Sequence, residues 1–155
     1  MDPISSIKVE HNIVKVTVAG LPDRPGMAAR LFSSLAREGI NVGLISEGSV
    51  HDGYIDISFT VAHTNLEQTI NLCRVAAIKL GADDVNINQQ VARVTVAGPG
   101  VDQQPGIAAA VFEVFADEQV NIEMIATTEN AISCIVREDQ AELVAQKLRE
   151  RFGVA

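Results

Sequence analysis

Hydrophobic and polar positions change period several times along the chain. Residues 13–20 alternate Val with Lys and Thr and end in Gly, which predicts a strand. Pro25 then opens a predicted helix, on which Met27, Ala28, Leu31, Phe32 and Leu35 form one apolar stripe closed by Gly39. Residues 40–47 and 54–62 return to strand spacing, joined through Gly48 to Gly53. Leu66, Ile70, Cys73, Ala77 and Leu80 mark a second helix, ended by Gly81. A last strand at 84–89 places Val85 and Ile87 on one face. The order is β-α-β-β-α-β.

The same order then recurs. Lys15-Val16-Thr17-Val18-Ala19-Gly20 returns as Arg93-Val94-Thr95-Val96-Ala97-Gly98, and Pro25-Gly26-Met27-Ala28-Ala29 as Pro105-Gly106-Ile107-Ala108-Ala109. Ile40-Asn41-Val42 answers Val120-Asn121-Ile122, and Ile57-Ser58 answers Ile132-Ser133. An ordered series of matches marks an internal repeat. The second copy predicts a strand at 91–98, a helix at 105–118, strands at 120–127 and 131–137, and a helix at 139–151. Gly153-Val154-Ala155 is too short for its sixth element. Ile7-Lys8-Val9-Glu10 alternates like a strand and resembles Val85-Asn86-Ile87-Asn88, so segment 4–10 is expected to complete the second copy. The expected domains are 11–90, and 91–155 with 4–10. Each β-α-β-β-α-β copy predicts an α+β, ferredoxin-like domain with an antiparallel sheet and both helices on one face.

Composition adds limits. The 155 residues are 47% hydrophobic and only 4% aromatic, so the cores are built from aliphatic residues. A net charge of −8 argues against nucleic acid and anionic membrane as partners. No apolar run approaches the ~20 residues of a membrane-spanning helix. Met1-Asp2-Pro3-Ile4 has no basic region, so a cytoplasmic chain without a signal peptide is expected. Cys73 and Cys134 sit in apolar patterns and read as reduced core thiols.

Candidate chemistry is sparse. His11, His51 and His63 have no metal-ligand spacing and read as solvent-facing loop residues. Gly98-Pro99-Gly100 lacks the Lys-Ser/Thr of a phosphate loop. Asp83-Asp84 and Glu138-Asp139 read as cap and surface residues without a basic partner. No catalytic residue, metal or cofactor is expected. The informative positions are the two Pro-Gly helix starts. A helix N-terminus offers unpaired N–H groups to a carboxylate, and Gly26 and Gly106 let a ligand approach the backbone. Simple helix initiation also accounts for Pro-Gly. Asn41 and Asn121 open the next strands with amides that both donate and accept, although Asn is common at such turns.

These residues resemble the ACT domains of aspartokinase. The likeness is carried by Val16 through Ala29, by Gly39-Ile40-Asn41-Val42-Gly43-Leu44-Ile45, and by Asp56-Ile57-Ser58-Phe59-Thr60-Val61. Val120 through Glu129 and Ile132-Ser133-Cys134-Ile135-Val136 resemble that family's second module. The resemblance implies a non-catalytic regulatory region of aspartate kinase, giving allosteric feedback by lysine, threonine or both. It implies a homodimer through the ACT domains and a catalytic domain or subunit as partner. The implied first effector site is Asp23, Gly26, Met27, Ala28 and Glu47, with Asn121 and Ile122 from a second module. The implied second site is Gln104, Gly106, Ile107, Ala108 and Thr127, with Asn41 and Val42. Three positions depart from the family pattern: Glu47 replaces a usual Gln, Gly43 a common Asp, and Glu129-Asn130-Ala131 a usual Glu-Ile-basic stretch. A carboxylate at 47 favours a cationic side chain, hence lysine ahead of threonine. The alternative is a stand-alone amino-acid sensor or dimerisation module that regulates another enzyme, and a small enzyme on this fold is a further reading.

Overall fold

The computed structural model describes residues 4–155, so the reading of Met1-Asp2-Pro3 lies outside it. The described residues form β1 (Ser6–Pro22), α1 (Met27–Arg37), β2 (Ile45–Glu47), β3 (Tyr54–Ala62), α2 (Leu66–Leu80) and β4 (Asp84–Ala97). There follow α3 (Ile107–Asp117), β5 (Met124–Thr127), β6 (Ala131–Arg137) and α4 (Glu138–Phe152). The chain divides into two compact units, Asn12–Gln89 and Gln90–Ala155 with the described residues through His11. None of these helices is long and apolar enough to cross a membrane.

In the unit Asn12–Gln89 the strand order is β2-β3-β1-β4. β3 runs antiparallel to both neighbours, with Phe59 opposite Val16 on one side and Ile45 on the other. Asp83 N–H donates to Ala19 O at 2.9 Å where β4 joins β1. Alternation along β1 buries Val14, Val16 and Val18 beneath Leu31, Leu35, Cys73 and Leu80 of the helices.

The second unit has the equivalent order β1-β4-β6-β5, built from the N-terminal half of β1 and the C-terminal half of β4. Val94 faces Cys134, which faces Ile125. The N-terminal segment completes this unit. Ser5 N–H donates to Ala97 O at 2.8 Å, Ile4 and Ile7 are buried in its core, and the Arg149 guanidinium donates to Ile7 O at 3.0 Å. Both units are thus ferredoxin-like, α+β and antiparallel.

Several boundaries differ from the pattern. Segments 4–10 and 13–20 form one strand, continuous through Asn12 at φ 62°, a left-handed conformation that Asn tolerates. Segments 84–89 and 91–98 likewise form one strand. β2 and β5 start later than expected because the residues after each first helix finish that helix. Ile40 N–H donates to Leu35 O and Val120 N–H to Phe115 O. Gly43 N–H then meets Thr60 O at 2.8 Å, and Leu44 N–H meets Thr60 Oγ1 at 3.0 Å. A Cβ at Gly43 would stand 2.5 Å from that hydroxyl, which accounts for glycine here.

Candidate functional site

Both first helices begin one step later than Pro-Gly suggested. Pro25 and Pro105 lie in the preceding turns, and α1 and α3 start behind Gly26 at φ 89° and Gly106 at φ 95°. Only glycine enters this region without penalty. No side chain caps either helix. Met27 N–H turns back to Arg24 O at 3.3 Å, and Arg30 N–H reaches Gly26 O at 3.0 Å. Among the described residues, the N–H groups of Ala28 and Ala29 are left without a partner. The second unit repeats this. Ile107 N–H reaches Gln104 O at 3.2 Å and Ala110 N–H reaches Gly106 O at 2.9 Å, which leaves the N–H groups of Ala108 and Ala109. Nothing lies within 4 Å of the space a Cβ would occupy at either glycine. Each unit therefore presents an open helix N-terminus, with partial positive charge and two unused donors, suited to a carboxylate.

The other expected residues fall at defined places. Asp23 N–H is anchored to Gly53 O at 2.8 Å, which leaves its exposed carboxylate in the loop before Gly26. Gly20 N–H donates to the Asp56 carboxylate at 2.9 Å and steadies the start of that loop. Glu47 ends β2 opposite Ile57, which lies opposite Val18. It therefore shares the sheet end from which α1 departs, and it is exposed. Thr127 is its counterpart, ending β5 opposite Ile132. Met27 is buried, so only its backbone is at the surface, while Ile107 and Ala28 are half-buried against their cores. Asn41 and Asn121 are exposed beyond the C-terminal ends of α1 and α3, at the opposite end of each unit. Val42 and Ile122 beside them pack partly into the cores.

Chemically reactive groups are few. Cys73 and Cys134 are free and buried, and burial pushes their thiols up to about 11 and about 12, which makes them poor nucleophiles at neutral pH. Among the described residues no cluster of three His, Cys, Asp or Glu is arranged to hold a metal. His51 lies in an exposed turn and His63 in a short 3₁₀ turn. His11 departs from expectation. It lies within β1, half-exposed, with Nε2 2.9 Å from Glu142 Oε1 and Nδ1 3.5 Å from Glu138 Oε1. The hydrogen bond to Glu142 raises its pKa above the ordinary imidazole value. Asp139 also has a basic partner, Arg137 at 2.8 Å. The sequence carries a signal for Arg137 two residues from Asp139, but none for a histidine 131 positions from its glutamate.

A family model described as the ACT domain matches residues 14–76 and 94–152. The aspartokinase of Corynebacterium glutamicum is 33% identical over 151 residues, covering 96% of this chain and 36% of that protein. The chain thus spans about a third of such relatives. Among solved structures, the ligand-free regulatory subunit of aspartate kinase from Thermus thermophilus aligns with a TM-score of 0.92 at 27% identity, covering 97% of this chain and 99% of that one. A chain from a structure of aspartokinase alpha and beta subunits aligns at 0.90 and 30% identity, covering 97% and 99%.

Proposed function

Because the chain belongs to the ACT-domain family and is a tandem regulatory region of the aspartokinase type, we propose that it binds lysine, threonine or both and passes that signal to a cytoplasmic aspartate kinase. The observation that carries this reading is the doubled helix N-terminus, each behind a glycine with positive φ and open space, each with two unused donors. An α-carboxylate is the effector group that such donors fit. Asp23 and Glu47 in the first unit then offer acceptors to an ammonium group, while Gln104 and Thr127 in the second offer neutral polar groups. The first site therefore prefers lysine. Asn121 and Ile122 close it from the second unit of a partner chain, and Asn41 and Val42 do the same for the second site around Gly106, Ile107 and Ala108. The functional form is a homodimer through these domains. Effector binding shifts an equilibrium between arrangements with a coupling of about 1–3 kcal/mol.

Melting in the presence of single amino acids tests this. A ligand at about a hundredfold excess over its Kd stabilises the folded state by ~2.7 kcal/mol. Lysine or threonine is expected to raise Tm, and Glu47→Gln to weaken the lysine response relative to threonine. If no amino acid raises Tm at millimolar concentration with dimer present, the sensing role fails. An unchanged preference in Glu47→Gln removes lysine selectivity alone.

A further inference from the structure

The outer faces of the two helix pairs share a backbone plan and differ in chemistry. α1 and α2 border a groove of about 430 Å³ lined by Arg30, Ser33, Arg37, Ala76 and Lys79 among others, with no carboxylate in its lining. Among the described residues, Arg30, Arg37 and Lys79 have no carboxylate partner. Beside the groove on α2, Val75 is 51% exposed and Ile78 82% exposed.

The second unit shows what the fold itself requires at these positions. Counting from the Pro-Gly pairs and from the C-cap glycines Gly81 and Gly153 aligns Arg37 with Asp117, Val75 with Lys147 and Ile78 with Glu150. There Lys147 pairs with Glu150 at 3.7 Å and Arg151 with Glu113 at 3.8 Å, so that face neutralises itself. A protruding isoleucine among unpaired cations is therefore not a demand of the architecture. Exposed apolar groups ringed by charge mark interaction surfaces.

Charge and chain length indicate the occupant. In a protein of net charge −8, a face with three unpaired cations selects carboxylates, and Ile78 with Val75 selects an apolar pocket between them. The relatives extend well beyond the matched third. Resting on the regulatory reading above, we propose that the α1–α2 face docks the catalytic polypeptide of aspartate kinase, through an acidic rim around an apolar pocket.

The test is the Kd between the full chain and the catalytic polypeptide of the same organism, read by biolayer interferometry at two salt concentrations. Ile78→Glu, which copies the second unit, and the double variant Arg37→Asp/Lys79→Asp are each expected to weaken binding at least ~10-fold. Lys147→Asp in the second unit is expected to leave Kd unchanged, and wild-type binding to weaken as salt rises. An unchanged amino-acid Tm shift verifies that each variant is folded. Wild-type affinity in both first-unit variants overturns the proposal, as does failure of the wild-type chain to bind. A first-unit variant that alters the sedimenting mass of the chain alone also overturns it, by making the face a contact between copies. A Tm shift with lysine or threonine alongside any of these outcomes leaves the sensing role standing. Loss of the Tm shift in the wild type removes that role instead.

Discussion

The two units reach one fold with their bulk in different places. The first sets Phe59 in the middle of β3, where the ring of Phe32 meets it edge-on at 5.3 Å between centroids. The second has Cys134 at the matching strand position and Phe115 on α3 where the first has Leu35. Large and small have exchanged between strand and helix, and all four side chains are buried. A core thus tolerates substitution when volume and pattern are kept. Surfaces obey no such constraint. The loop Asp23-Arg24-Pro25-Gly26 became Gln103-Gln104-Pro105-Gly106, Glu47 answers Thr127, and the outer helix faces diverged in charge. The backbone device retained in both is the helix start behind a left-handed glycine. Duplication has kept the carboxylate-binding geometry and varied what surrounds it.

The sharpest way to break this comparison is to remove the one strand the units do not obtain in the same manner. Deleting residues 4–10 takes two buried isoleucines from the second core, each contributing about 1.5–3 kcal/mol, together with a whole edge of hydrogen bonds. Hydrogen exchange should then show lost protection in β6 and α4 and retained protection in β3 and α2. Loss centred on β3 and α2 would mean that the segment supports the other unit.

Next in size is the exchange of bulk. Phe59→Cys should cost the first unit about 3 kcal/mol in urea unfolding. Adding Leu35→Phe should return more than ~0.5 kcal/mol of that loss, a coupling expected of residues that share a cavity. Strictly additive or worse behaviour of the double variant would show that the two positions do not trade volume.

Smaller effects follow at the helix starts. Gly26→Ala and Gly106→Ala meet no neighbour, so backbone strain alone sets their cost, about 1–2 kcal/mol each. Each should also reduce the amino-acid Tm shift of its own site, and equal loss from both variants would make the two sites one functional unit.

The smallest effect belongs to His11, which has no counterpart in the first unit's first strand. Its folded pKa is raised, so its contribution is fully present below the ordinary imidazole pKa and is lost as pH rises through the folded value. The melting temperature of the second unit should fall slightly more than that of His11→Ala between about pH 6 and pH 8. Parallel pH profiles for the two proteins would show that the Glu142 contact carries no stability.

Much of this was legible in the chain. Alternating valines marked the strands, i, i+3, i+4 stripes marked the helices, and the recurring Pro-Gly marked the helix starts. These signals are local, since each element buries one face and its period records which. Repetition extended them to topology, and the similarity of 7–10 to 85–88 located the strand that completes the second unit. Only the tertiary structure decided what depends on partners remote in the chain. Thr60 takes the Leu44 N–H and delays β2, Asn12 turns left-handed so that one strand serves two units, and His11 meets Glu142. Such contacts leave no periodicity, because one side chain satisfying one distant group imposes no repeat on its neighbours. The same reason separates the two helix faces: their amphipathic pattern was visible, but whether their charges were paired depended on how the helices were set side by side.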